Sequence, residues 1–499
     1  MTQKSTTTAR RRSKPSDKES WKPHKGQKIA LKFMLERDAA ALFLDPGFGK
    51  TSISYAALKV LKNEGLLRGA LVIAPRRPAV STWPEEQRRW AEFDGLSAVV
   101  LRGPKRELMV QEKHDVYITT YEGFDWLCKN GHLKEMLKKR MLCTLVVDEL
   151  SKLKNHKSVR HKNVAEWGDR FKRRWGLTGS PASNGLLNLF GELYVLDGGR
   201  SLGRHFTHYR AMFFEPVNPN ADFPRFEPMA GAEELIYERI KPTALRLDAA
   251  DYYEMPQFVP NLIKDEFDEK QQAIYDAMED DMMAFLDDEN IVTATTAAAA
   301  GMKCQQLASG AIYEDKVDPL TGMPRGGARK WDAVHDLKLD MLENLIEELE
   351  GQQLLVAYWF GHDLQRIQGL MKKIYGEEAP SIGSHTSDKN AILYEKAWNA
   401  GEIPVMLCQP NSVGHGMNFQ RGNAHHLCWY TMPNYDFEVY DQFNRRLRRQ
   451  GNKATSVFGH HLIIKGTVDE AQYAAMNSKR RGQDRLFDAL KLLRDRRRR

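Results

Sequence analysis

The sequence predicts an α/β protein built on parallel sheets with helices on both faces. Three observations predict it. Apolar runs of strand length alternate with stretches of helix length along the 499 residues. The runs are apolar throughout rather than alternating, as strands buried on both faces are. The alternation also resumes in the second half of the chain, which predicts a second sheet.

Taken in order, residues 21–37 predict a helix starting after Pro23, with Ile29, Leu31, Phe33, Met34 and Leu35 on its apolar face. Ala39–Leu44 reads as a buried strand. It runs into LFLDPGFGKT (Leu42–Thr51), where Gly47 and Gly49 mark a tight loop and Lys50-Thr51 open a helix reaching about Leu61. Strand, Gly-rich turn and Gly-Lys-Thr make a phosphate cradle. Glycines let backbone N–H groups converge on phosphate oxygens, and the helix N-terminus adds its positive end. Lys50 would reach the β- and γ-phosphates, and Thr51 would place a hydroxyl on Mg²⁺. The strict spacing has glycine where this chain has Leu44, so by itself the loop reads equally as a plain strand–turn–helix.

Ala70–Ala74, Ser97–Leu101, Asp115–Tyr121 and Cys143–Asp148 are the next strand candidates, with a helix over Trp83–Trp90. The last of these strands ends in Asp148-Glu149. Ligands bind beyond the C-terminal ends of parallel strands. Asp148 is therefore placed to hold Mg²⁺, directly or through water, and Glu149 to polarise an attacking water; the alternative is an acidic strand-to-loop turn. Arg173–Leu177 leads into Thr178-Gly179-Ser180-Pro181, a γ-phosphate sensor or an ordinary turn.

Composition bounds the rest. The length suggests two to four domains. A hydrophobic content of 42% with 28% charged residues is that of a soluble globular protein. No apolar run has the length of a membrane span, and the N-terminus lacks the apolar core of a secretory signal. Cys128, Cys143, Cys304, Cys408 and Cys428 are scattered, which argues for a reducing compartment such as the cytoplasm, and against structural zinc or a disulfide framework. The net charge of +8 permits polyanion binding, and part of it sits in the two tails, which are expected to be disordered.

In the second half, Glu269–Leu286, Thr293–Leu307 and Leu337–Leu349 are helical by pattern, and residues 316–330 read as a Gly/Pro-rich loop. Leu354–Trp359, Val405–Cys408, His426–Tyr430 and His461–Ile464 are strand candidates. Phe206, Tyr209, Phe213, Phe214, Phe223 and Phe226 suggest a small apolar core rather than a base-stacking surface. Gln442, Arg446 and Arg449 are spaced i, i+4, i+7, so on a helix they share one face. Lys479–Arg499 reads as a basic amphipathic helix.

The ordered series resembles the motor core of superfamily-two helicases, most closely the Swi/Snf-type DNA translocases and their compact phage and bacterial members. DPGFGKT resembles motif I, ALVIAPRRPAVSTWPEEQRRW motif Ia and its helix, VYITTYEGF motif Ib, VVDELSKLKN the acidic box and GLTGSPASN motif III. QLLVAYWF resembles motif IV, SVGHGMNFQ motif V and QFNRRLRRQGN motif VI, with the GTVDE signature following. The likeness spans roughly residues 21–475, and motifs V and VI are individually its most specific parts.

The resemblance implies two RecA-like lobes of the P-loop NTPase type with helical insertions. A basic arm (1–20) would precede a first lobe (21–250) with an insertion near 200–245. A second lobe (255–475) would carry an insertion near 264–335, followed by a basic tail (476–499). ATP and Mg²⁺ would lie between the lobes. Gly47, Phe48, Gly49, Lys50, Thr51, Ser52 and Gln27 would bind nucleotide, and Thr51 with Asp148 the metal. Lys50, Asp148, Glu149, Gln442, Arg446 and Arg449 would be catalytic, the arginines reaching γ-phosphate from the second lobe. Double-stranded DNA would be held without sequence preference by Pro75, Arg76, Thr119, Thr120, Tyr121, Ser180, Gly416 and Asn418.

Some positions depart from the family. Lys25 stands where an adenine-contacting Gln is usual, Leu150-Ser151 replace the end of the acidic box, and Asn452 replaces the last Gln of motif VI; Leu44 breaks a pattern that the family relaxes. Three alternatives stay open: a strand-separating helicase on single strands or RNA, a motor that displaces DNA-bound proteins, and a nucleotide-gated binding module without turnover.

Overall fold

The first sheet grows around a strand with no polar side chain. All six residues of Ala39–Leu44 (β1) are buried. Ala39, Ala41 and Phe43 enter one apolar cluster, and Ala40, Leu42 and Leu44 the other. That two-residue alternation is what a strand covered on both faces requires. Ala70–Ala74 (β2), Ala98–Val100 (β3), Val116–Thr120 (β4), Thr144–Asp148 (β5) and Arg173–Thr178 (β6) follow. Phe214–Pro216 (β7) and Phe226–Pro228 (β8) pair as a separate antiparallel ribbon. Ala244–Leu247 (β9) returns to the sheet, whose order is β3-β4-β2-β5-β6-β1-β9. Every pairing in it is parallel.

The second sheet comprises Gln257–Asp265 (β10), Leu354–Ala357 (β13), Ser381–Ile382 (β14), Val405–Cys408 (β15), His426–Trp429 (β16) and Ser456–Ile464 (β17), after an antiparallel pair Ala311–Tyr313 (β11) and Trp331–Ala333 (β12). Its order is β10-β17-β16-β13-β15-β14, again parallel throughout. Two further apolar clusters cover its faces. This is the two-sheet α/β architecture that the sequence predicts.

The structure is a computed structural model that describes residues 18–179, 181–182, 185–217, 226–287, 302–314, 330–413, 417–422 and 424–477. The basic arm before residue 18, the predicted tail helix Lys479–Arg499, most of the predicted loop 316–330, Phe223, Ser180 and Gly416 lie outside the described residues. Among the described residues, no helix is long and apolar enough to cross a membrane.

Two differences from the sequence reading matter for the site. Strand β10 escapes a search for apolar runs because it is an edge strand with mixed exposure and carries Pro260. An edge position is where a strand tolerates the donor that proline lacks. The second concerns the motif VI segment. It does not form one helix through Arg449: the helix is Phe437–Asn444, and Arg445–Gln450 continue as turns. Arg446 Nε takes the Gln442 carbonyl at 3.0 Å, the acceptor that an i→i−4 bond needs, while the Arg446 N–H turns to Phe443 O at 2.9 Å. Only Gln442 of the three residues is therefore helical.

Candidate functional site

The loop after β1 needs its glycines. Gly47 and Gly49 have φ of 90° and 85°, in the left-handed region. Both are also closely approached. A Cβ on Gly47 would meet Arg449 Nε at 2.6 Å, and one on Gly49 would meet Gln27 Nε2 at 2.5 Å. Leu44, by contrast, completes β1 with its side chain in the core, so that position makes no demand for glycine. Its carbonyl accepts from Lys50 Nζ at 2.7 Å, with Asp45 O at 3.4 Å. Burial pushes the Lys50 amine down to about 8, against the opposing pull of Glu149 and Asp148. Phe48 is buried edge-on against His24 and Tyr252.

Asp148 and Glu149 sit two strands away, since the order runs β5-β6-β1. Trp83 Nε1 donates to Asp148 Oδ2 at 2.9 Å. Glu149 has φ of 63°, unusual for a residue with a Cβ. Tyr121 holds that strained backbone, its hydroxyl donating to the carbonyls of Asp148 and Glu149 at 2.9 and 3.0 Å. Glu149 Oε1 accepts from Thr178 Oγ1 at the end of β6 (2.9 Å) and from Ser151 Oγ (3.0 Å).

From the second sheet come Gln442, Arg446 and Arg449. Arg446 Nη1 donates to Met417 O at 2.8 Å and Arg449 Nη1 to the same carbonyl at 3.4 Å. Burial, and for Arg446 the charge of Arg449, push both guanidinium groups down from their ordinary values. Lys50, Thr51, Asp148, Glu149, Arg446 and Arg449 all line one cleft of about 710 Å³. Gln27, Ser52 and Gln442 line it too, already engaged: Gln27 Nε2 with Phe48 O at 3.1 Å, Ser52 Oγ with Glu86, and Gln442 Nε2 with Glu438 Oε1 at 3.2 Å.

Contacts between the two halves surround the cleft. Ser151 Oγ also lies against Glu438 Oε1, so its single proton is shared between the Glu149 and Glu438 carboxylates; the other Glu438 oxygen accepts from Lys154 Nζ at 2.7 Å. A hydrogen-bonded chain thus runs Thr178–Glu149–Ser151–Glu438–Gln442, crossing from the first sheet's side to the second. Arg77 donates to the Ser412 carbonyl and lies 3.2 Å from Met417 Sδ. Asp45 accepts from Arg246 Nη2 at 2.9 Å and also from Arg445 of the second half. Those two arginines hold its carboxyl well below the usual range, overcoming the burial that would raise it.

A second concavity, a groove of about 760 Å³, is lined by Pro75, Arg76, Thr119, Thr120 and Tyr121. Arg102, Arg106, Lys152 and Arg160 add four cations that sequence reasoning missed. Nothing in their spacing marks them; the fold gathers them from separate elements. Thr119 is buried, Thr120 caps the helix Tyr121–Lys129 through the Gly123 N–H, and the Tyr121 hydroxyl braces the acidic strand end as above. Asn418 lines the nucleotide-sized cleft rather than this groove. Trp83, Ser151, Glu438 and the Asp45–Arg445 pair were also missed. Ser151 alone carried a signal, as a departure within the acidic box.

The family described as SNF2-related domain matches residues 26–312. A relative from Acyrthosiphon pisum secondary endosymbiont phage 1, named putative protein p41, is 30% identical over 484 residues, covering 94% of this chain and 98% of its own length. Mouse chromodomain-helicase-DNA-binding protein 1-like is 33% identical over 158 residues, 30% of this chain and 16% of that protein. Among solved structures, the Sulfolobus solfataricus SWI2/SNF2 ATPase core in complex with dsDNA aligns over 90% of each chain at 21% identity, with a TM-score of 0.43.

Proposed function

The chain belongs to the SNF2-related family, and from that premise we propose that it is an ATP-driven translocase on double-stranded DNA. One observation carries the reading: Lys50, Asp148 and Glu149 from one half and Arg446 and Arg449 from the other line a single cleft. Phosphoryl transfer needs that set, a cradle, a water-orienting carboxylate and cations for the transition-state charge. In this reading Lys50 exchanges its bonds to the loop carbonyls for the β- and γ-phosphates, and the N–H groups around Gly47 and Gly49 receive phosphate oxygens. Glu149, fixed by Thr178 and Ser151, orients the attacking water. Arg446 and Arg449 meet the γ-phosphate only while the halves are closed, which ties turnover to lobe motion. Thr51 and Asp148, both in the cleft, are the pair that would hold Mg²⁺, which neutralises phosphate charge when bound.

We take residues 21–250 and 255–475 as the two lobes, with the basic arm and tail outside them. Duplex DNA is assigned to the groove of Arg76, Arg102, Arg106, Lys152 and Arg160, whose cations suit backbone phosphates and ignore sequence. DNA-bound proteins are the obstacles that such a motor meets.

The test is an ATPase assay with duplex DNA, single-stranded DNA and RNA, with Lys50→Ala as the inactive control. Stimulation by duplex that fades with added salt is the expected result. Stimulation by single strands alone would replace the translocase with a strand-separating helicase. Unchanged phosphate release in Glu149→Gln would leave a nucleotide-gated binding module.

A further inference from the structure

Sequence reading assigns the aromatic residues near 206–226 to a small core. The structure divides them. Tyr209, Phe213 and Phe214 are buried in the first apolar cluster, whereas Phe206 is only partly covered. Phe206 stacks on His156 with ring centroids 4.1 Å apart and planes 23° from parallel. Together with Phe190 and Tyr194 these rings line an open pocket of about 560 Å³. Lys157, Lys162, Arg204 and Arg210 also line it, and no carboxylate does. His161, 3% exposed, also lines it.

The pocket's position gives it a connection. The helix Val159–Gly168 carries Arg160 into the groove assigned to duplex, and His161, Lys162 and Ala165 into this pocket. Successive helical residues point about 100° apart, so one helix presents both surfaces.

We propose that this pocket takes an unpaired nucleotide of a nucleic acid, with the base on the His156–Phe206 face and the backbone phosphates on Lys157, Lys162, Arg204 and Arg210. Rings for a base beside cations for a backbone are the combination that binds single strands without reading sequence. The pocket volume exceeds what a lone phosphate needs, and a bare anion would leave the ring faces unused. The orientation relative to the duplex rests on the function proposed above; the pocket itself does not.

The experiment measures anisotropy of a short labelled oligothymidylate on the whole protein, with the duplex groove saturated by unlabelled duplex. Binding is expected, with a loss of about tenfold in Phe206→Ala and in Arg204→Glu and with retention in Phe206→Tyr. Arg204 is exposed, so its variant tests the site without touching the core. A 4-thiothymidine version of the oligonucleotide should crosslink within 156–162 or 204–210. Equal displacement by inorganic pyrophosphate would show an anion site only and overturn the proposal, as would unchanged affinity in both disruptive variants. Duplex-stimulated ATP hydrolysis is measured in the same variants. Its persistence alongside lost oligothymidylate binding supports the proposal, and its absence in the parent protein fails the translocase reading instead.

Discussion

The two sides of the nucleotide cleft are held differently. On the first sheet's side, each acidic or cationic group is fixed by its own surroundings: Lys50 by the Leu44 carbonyl, Asp148 by Trp83, Glu149 by Thr178. On the second sheet's side, Arg446 and Arg449 both donate to the Met417 carbonyl, Arg446 also to the Gln442 carbonyl, and their burial disfavours the charge they carry. The first side is a preformed binding surface. Burial disfavours the charge of Lys50 as well, so an anion would relieve cations on both sides. Under the proposed function, the first half would serve ground-state binding and the arginines transition-state stabilisation.

Kinetics of variants can break that division. The largest effect is expected from Arg449→Ala and Arg446→Ala: kcat should fall by about 10³ or more while ATP binding is retained. Equal losses in affinity and kcat, measured by titration with a slowly hydrolysed analogue, would erase the distinction between the sides. Glu149→Gln should lower kcat by about 10²–10⁴, again with nucleotide bound. Lys50→Ala should instead weaken binding itself.

Ser151 and Glu438 sharpen the comparison because they join the two sides. Ser151→Ala and Glu438→Gln should each reduce kcat by about tenfold, and the double variant should lose little more than either alone. Such non-additivity is the sign of one coupled chain; additive losses in a double-mutant cycle would separate the two residues.

A smaller effect concerns pH. The Lys50 amine stands at about 8 in the cleft, and bound phosphates favour its charged form. Its value therefore rises on binding. Above pH 8, ATP binding should take up a proton, and affinity should fall by up to about tenfold per pH unit until the bound-state value is reached. Calorimetry in two buffers of different ionisation enthalpy measures that uptake, and Lys50→Ala should abolish it. Arg445→Ala removes a partner from the buried carboxylates of Asp45 and Asp441 and should lower stability by about 3 kcal/mol, read by chemical denaturation.

The central strands were legible because uninterrupted apolar runs have few other uses: β1, β2, β5 and the Gly-rich turn into the helix Lys50–Asn63 stand as the sequence places them. Strand β10 was not, because an exposed edge carrying Pro260 lacks that signature. The spacing of Gln442, Arg446 and Arg449 identified residues that share the cleft, yet suggested the wrong backbone. A side chain bonded to its own helix's carbonyl is a tertiary choice that no periodicity records. Trp83, Arg102 and Glu438 were invisible for a related reason. Their roles exist only across elements distant in the chain.

The ion pairs around Asp45 have one further consequence. Arg445 bridges the halves by reaching Asp45, yet it also holds Asp441 of its own helix at 2.7 Å. Asp45 keeps Arg246 on its own side, and Arg246 has Asp248 as well. Separation of the halves would then strand none of these five charges without a partner. The junction works as a partner exchange rather than a bond that must be broken outright, so opening and closing can approach equal free energy. If the chain is the translocase proposed above, it would need that near-symmetry, because a contact too strong in either state would stop the cycle.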